Sequence, residues 1–169
     1  MKLVLIAAAL FALTTAAQAK DALTTAEAAL DAAWVAAPLT VRQAFFVVGQ
    51  PSGYGIYTPH PDAPFKTGES LITYAEPVGY AFKDNKDGTV SFGFNVDVAL
   101  KSPDGKLVYE QKAWQAVSLT SHARNHEFML TLTLDLTGAD PGKYVLDYTL
   151  HDQNSDKTAD ITLPFTLVK

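Results

Sequence analysis

Residues 128–150 constrain the chain more than any other stretch. Phe128, Leu130, Leu132, Leu134 and Leu136 alternate with Met129, Thr131, Thr133 and Asp135, which is the period of a strand with one buried face and one wet face. The run stops where Pro141 lacks a ladder donor and where Gly138 and Gly142 are free to take positive φ, so a turn is expected. Alternation then resumes with Tyr144, Leu146, Tyr148 and Leu150 on one side. Two strands joined by a Pro-Gly corner leave little room for a helical fold here.

The same period recurs upstream and downstream. Val90, Phe92, Phe94, Val96, Val98 and Leu100 share one parity, a Ser102-Pro103-Asp104-Gly105 turn follows, and residues 107–117 return beside them. In the returning strand the apolar set changes parity between Leu107/Tyr109 and Trp114/Ala116, as at a bulge or a bend between sheets. Residues 41–48, 71–76 and 80–82 read as further strands, and Ala159, Ile161, Leu163, Phe165 and Leu167 close the chain. Pro164 falls on the polar parity of that last strand, which suits an edge or a bulge. The count is seven to eight strands at the spacing of an antiparallel Greek-key β-sandwich, mainly β, after one short helix.

A leucine-ended strand, the Pro141-Gly142 corner and Tyr144 two residues beyond it resemble the E to F corner of immunoglobulin-like sandwiches. The resemblance is to the fold, over about the last third of the chain, and points to exported bacterial relatives because the Cys pair of antibody domains is absent. It implies an immunoglobulin-like sandwich in which Pro141, Gly142 and Tyr144 are structural, the Tyr144 hydroxyl bonding back to the backbone a few residues upstream. Such folds carry many functions, so no activity follows from it.

The first residues set the expected compartment. Lys2, an apolar run over residues 3–13 and an Ala17-Gln18-Ala19 site have the order of a secretory signal peptide, with residues 1–19 removed. That run is shorter than the roughly 20 residues a spanning helix needs, so no stable membrane insertion of the mature chain is expected. Without cysteine there is neither a disulfide nor a lipid-bearing thiol, and stability outside the cytoplasm must come from the core. The formal charge of −5 becomes −6 when Lys2 leaves with residues 1–19. No basic stripe is present to displace counterions from phosphates, which argues against a nucleic-acid partner.

Residues 20–40 read as a helical segment, with Thr24 and Glu27 at capping-box spacing and Pro38 as its stop. Leu23, Ala26, Leu30, Ala33 and Trp34 fall on one side. Residues 41–169 are expected to form a single β-sandwich domain.

The segment most unlike a strand is residues 50–65, which hold four prolines, two glycines and two tyrosines. Loops on rigid scaffolds often carry function, and Tyr offers broad area with one polar end. Tyr54, Tyr57 and His60 are therefore the candidate recognition residues; the competing reading has the tyrosines covering the rim of the sheet. No catalytic constellation is legible: Cys nucleophile, Gly-x-Ser-x-Gly elbow, phosphate loop and dinucleotide fingerprint are all missing. His122 and His126 have a four-residue spacing, but zinc needs a third protein ligand, and nothing in the sequence selects among nominees such as His60, His151 or Asp152, so no metal or cofactor is assigned. Glu69, Glu76, Glu110 and Glu127 stand apart in sequence and suggest no acid–base pair. The expectation is an exported, non-catalytic binding or assembly module, periplasmic or extracellular, with a protein or glycan partner in the cell envelope. The alternatives are a small exported metal-dependent hydrolase using loop histidines and a structural envelope protein.

Overall fold

The computed structural model describes the backbone of residues 3–169 and the side chains of residues 20–169. It is mainly β with one helix: α1 (Leu3–Ala36), β1 (Thr40–Phe46), β2 (Phe65–Lys66), β3 (Ser70–Val78), β4 (Lys83–Asp84), β5 (Val90–Lys101), β6 (Leu107–Ser121), β7 (Leu130–Asp135), β8 (Gly142–Asp152) and β9 (Thr158–Val168). Two units are distinct, Met1–Ala37 and Pro38–Lys169.

The helical unit corrects the expectation of a short, capped helix. Helix α1 runs through Thr24 and Glu27 without a start there. The reason is that residues 3–23 contain Ala and Leu in abundance and neither Gly nor Pro, so nothing interrupts the helix upstream. The Thr24 hydroxyl donates back to the Lys20 carbonyl at 3.1 Å, and Thr25 to Asp21 at 2.8 Å, the bonds of hydroxyls inside a helix. Leu23 and Leu30, placed on the apolar stripe, are exposed. Pro38 lies just beyond the helix end. The expected secretory leader, residues 1–19, lies outside the residues whose side chains are described.

The β unit holds two sheets. One has the order β1-β3-β7; the other runs β2-β9-β8-β5, with β4 and β6 also on β5. Every pairing is antiparallel except the two-residue contact of β2 with β9. Leu130, Leu132 and Leu134 of β7 are buried, as are Phe94, Val96 and Val98 of β5 and Leu146, Tyr148 and Leu150 of β8. Each of the aliphatic side chains and Phe94 contributes about 1.5–3 kcal/mol when fully withdrawn from water. Between the sheets, the rings of Phe46 (β1) and Phe165 (β9) lie 6.1 Å apart. Thr73 of β3 reaches Tyr148 of β8 closely enough to offset part of the rise that burial imposes on the Tyr148 hydroxyl, yet neither hydroxyl makes a hydrogen bond of ordinary geometry.

Between β7 and β8, Gly138 has φ 79°, whereas Gly142 keeps an ordinary φ and opens β8. The Tyr144 hydroxyl donates to the Asp140 carbonyl, four residues upstream, at 2.7 Å, and its ring stacks on Phe165 at 5.5 Å. The parity change in β6 is a bulge: Gln111 pairs Val98 and Gln115 pairs Val96, with Ala113 at φ 46° and its N–H on Asp97 Oδ1 at 2.8 Å. The strand therefore stays beside β5 and does not cross sheets.

Residues 80–82 are not the strand that their sequence suggests. The Tyr80 ring is buried against Phe92 at 4.4 Å and its hydroxyl donates to the Asn125 carbonyl, while the Ala81 N–H donates to the buried Asp152 at 2.6 Å. These side-chain anchors replace a ladder. Phe128 likewise precedes β7 and packs edge-on to Phe92 at 4.9 Å.

Candidate binding groove

The Pro/Tyr/Gly segment folds onto the outer side of the β1-β3-β7 sheet. Because Thr73 faces the other sheet, its neighbour Tyr74 in β3 must point outward. The Val48 N–H donates to Thr58 O and the His60 N–H to Phe46 O, both at 2.8 Å, so residues 58–60 run beside the end of β1. Between them the chain reverses: Ile56 N–H donates to Gly53 O at 2.9 Å and Ser52 N–H to Ile56 O at 3.1 Å, with Gly55 at φ 71°. Prolines that cannot join a ladder are accommodated because only alternate residues of this segment bond to β1.

A buried carboxylate ties the reversal down. Glu76, at the end of β3, is 4% exposed. Its Oε1 accepts from Tyr74 at 2.6 Å and Gln43 at 2.7 Å; its Oε2 accepts from Tyr54 at 3.1 Å, with Arg42 at 4.0 Å. Arg42 also donates to the Tyr54 hydroxyl at 2.6 Å, and the Gly55 N–H to the Tyr74 hydroxyl at 2.8 Å. Burial alone would raise the Glu76 carboxyl, but the bonds from Tyr74, Gln43 and Tyr54 and the Arg42 charge outweigh it and hold the group below its usual range. Burial, followed by the adjoining carboxylate, pushes Tyr74 up to about 12 and raises Tyr54. Tyr57 adds an aromatic layer, 4.5 Å from Tyr74 and 4.8 Å from Phe45 between ring centroids.

Beside this anchor lies an open groove of about 830 Å³. Most of residues 57–65 form one wall, and residues 143–145 of β8 and 164–166 of β9 form the other. Phe45 and Phe46 of β1 and Pro103 of the β5–β6 turn complete it. Its aromatic base is interlocked, with Phe46 edge-on to Phe65 at 5.0 Å. His60 stacks on Phe65 at 4.0 Å; its Nδ1 is 2.8 Å from Pro61 O and its Nε2 is 3.3 Å from Glu69 Oε1. Asp62 and Lys143 supply one charge of each sign, one per wall.

Of the three candidate residues, the groove brings together Tyr57 and His60, while Tyr54 belongs to the Glu76 anchor. Arg42, Gln43, Tyr74 and Glu76 were not singled out as a group from sequence. The available signal was a carboxylate inside the apolar run of β3, where a charge persists only with partners. Neither His126 nor His151 converges on His60: His126 packs edge-on to Phe82 at 5.6 Å, and His151 Nε2 lies 2.9 Å from Asp97 Oδ2 on the other sheet. Among the described residues no group of three or more His, Cys, Asp or Glu side chains is placed to hold a metal ion.

Neither a protein-family profile nor a characterised protein matches the sequence. Among solved structures the chain is similar to part of the Pseudomonas fluorescens alkylpurine DNA glycosylase AlkC bound to DNA containing an abasic site analog. The identity is 15% and the TM-score 0.37, over 79% of this chain and 31% of that one. A likeness this loose transfers neither fold nor function.

Proposed function

We propose that the chain is a non-catalytic binding module, exported to the periplasm or cell envelope, that holds a partner in the groove beside Tyr57 and His60. The carrying observation is the groove itself: a concave, aromatic surface walled by a segment that a buried carboxylate network fixes in place. Concave apolar sites with a few placed polar groups are where ligands bind. His60 and Tyr144, two of the titratable groove side chains, have their polar atoms engaged, and the charged Asp62 and Lys143 stand on opposite walls. This arrangement favours holding a partner over transforming it.

Within the same proposal, the β unit is an immunoglobulin-like sandwich. The order β1-β3-β7 facing β6-β5-β8-β9, with a tyrosine bonded back across the β7–β8 corner, supports that reading. Export rests on the charged, apolar and small-residue order of residues 1–19. No helix among the described residues is long and apolar enough to cross a membrane.

Ala63 is exposed on the groove wall, so Ala63→Arg fills the groove without touching the Glu76 anchor. An envelope component that wild type retains at low salt is expected to be lost by A63R of unchanged Tm. Equal retention by both proteins refutes the groove as the binding surface.

A further inference from the structure

We propose that the groove takes an extended, proline-bearing peptide in the polyproline II conformation, bound through side-chain faces and not by strand addition. The inference rests on the groove being the binding surface and specifies the occupant's chemistry.

Backbone geometry argues against a strand. Val168 O accepts from Thr67 N–H at 2.8 Å, so β9 turns the backbone groups of Val168 away from β8. In a strand these groups alternate in direction, so Thr162, Pro164 and Thr166 also point away. Pro164, on the groove wall, has no N–H to offer. Across the groove Pro59, Pro61 and Pro64 have none either, and the His60 and Ala63 N–H groups are spent on Phe46 O and Pro61 O. Neither wall presents the donors that a continuous ladder requires.

Polar supply argues against a sugar. A saccharide presents several hydroxyls per ring and needs matching partners when they are buried. Here the Tyr144 hydroxyl is bound to Asp140 O and both His60 nitrogens face acceptors, which leaves Tyr57, Asp62, Lys143 and Thr166, divided between two walls, as the polar side chains a ring would have to share. What the groove offers more continuously is ring surface, from the half-buried Phe45, Phe46, Tyr57 and Tyr144. A polyproline II segment suits this supply: it has few N–H groups to satisfy, presents pyrrolidine faces to aromatic ones, and is ordered before it binds.

Charge completes the description. Asp62 and Lys143 are exposed on opposite walls, which matches a peptide carrying one cation and one anion. A polyanion would meet a single lysine there on a chain of net charge −5.

The test is titration of the isotope-labelled full chain, with backbone amide shifts as readout. The probes are a proline–leucine decapeptide bearing one arginine and one glutamate, an alternating valine–threonine decapeptide, and maltohexaose. Saturable shifts centred on Tyr57, Ala63 and Thr166 are expected with the proline peptide alone. Asp62→Lys should weaken that binding about fivefold, as for loss of one exposed ion pair, and a peptide with glutamate in place of arginine should restore it. Groove shifts with maltohexaose or the valine–threonine peptide, and none with the proline peptide, overturn the occupant while leaving the groove as a binding surface. Equal affinity of D62K and wild type for the original peptide overturns the charge pairing. Silence of the groove toward all three probes overturns both occupant and groove.

Discussion

Replacing Tyr74 by Phe removes one oxygen and no ring volume, so it isolates the hydroxyl that bridges Gly55 and Glu76. Two bonds disappear, the donation to Glu76 Oε1 at 2.6 Å and the acceptance from Gly55 N–H at 2.8 Å. A hydrogen bond to a charged group contributes about 1.5–3 kcal/mol and a neutral one about 0.5–1.5 kcal/mol. Glu76 is 4% exposed, so water does not stand in for the lost donor. The expected loss at neutral pH is about 2–4 kcal/mol, which for a unit of this size lowers Tm by roughly 6–15 °C. Acid separates this loss from a packing defect. The folded-state value of the Glu76 carboxyl is lowered, so in the window between its folded and unfolded values the unfolded chain binds more protons. The stabilisation is therefore present above the unfolded value and fades as pH falls through the folded one. Tyr74→Phe releases part of that depression, so the gap between variant and wild type is widest at neutral pH and narrows on acidification. Urea unfolding followed by tryptophan fluorescence at a series of pH values measures it. A gap below about 0.5 kcal/mol at neutral pH, or one that does not change with acid, refutes the anchoring role of the carboxylate.

Two further substitutions test the packing of the β unit. A Cβ on Gly93 would lie 2.6 Å from Val117 O and also meet the Gln153 side-chain oxygen. Because the Val117 contact is backbone in a paired strand, Gly93→Ala should cost about 1–3 kcal/mol, and a Tm within 2 °C of wild type, by the same estimate, would contradict the close approach. Tyr144→Phe loses only the bond to Asp140 O. It should cost about 0.5–1.5 kcal/mol with an unchanged urea m-value, and an altered m-value would mean that the corner sets the compactness of the fold.

What could be read from sequence was local in period. The alternating leucines of β7 and the apolar parity of β5 and β8 declare their buried faces within a few residues, and those side chains are buried except Val90 and Tyr144, which are half-buried. The turn at residues 102–105 is similarly local, closed by Gly105 N–H to Ser102 O at 2.9 Å. Features decided by distant partners were misread. Residues 80–82 have strand-like composition, but Asp152, 71 positions away, takes the Ala81 N–H. Thr24 and Glu27 have capping-box spacing, but a cap forms only where the chain before it is not helical, and nothing upstream breaks α1. The Glu76 anchor draws on residues 42, 43, 54 and 74, so its separate members carry no motif.

The groove wall is held at three places, one by side chains and two by backbone pairing, and that combination explains how a proline-rich segment can serve as a rigid surface. Tyr54 and Gly55 are fixed by side chains around Glu76, residues 58–60 by backbone bonds to β1, and Phe65 by its pairing with Leu167. The prolines between these points reduce the freedom that the unfolded chain would otherwise lose on folding. A wall restrained in this way pays little entropy when a ligand arrives. The same prolines withdraw the N–H groups that would invite edge pairing, and Pro164 does so on the opposite wall. Recognition and protection from unwanted strand addition thus draw on one residue type. It follows that replacing Pro164 by an N–H-bearing residue would open β9 to ladder formation without adding any specific contact to the groove.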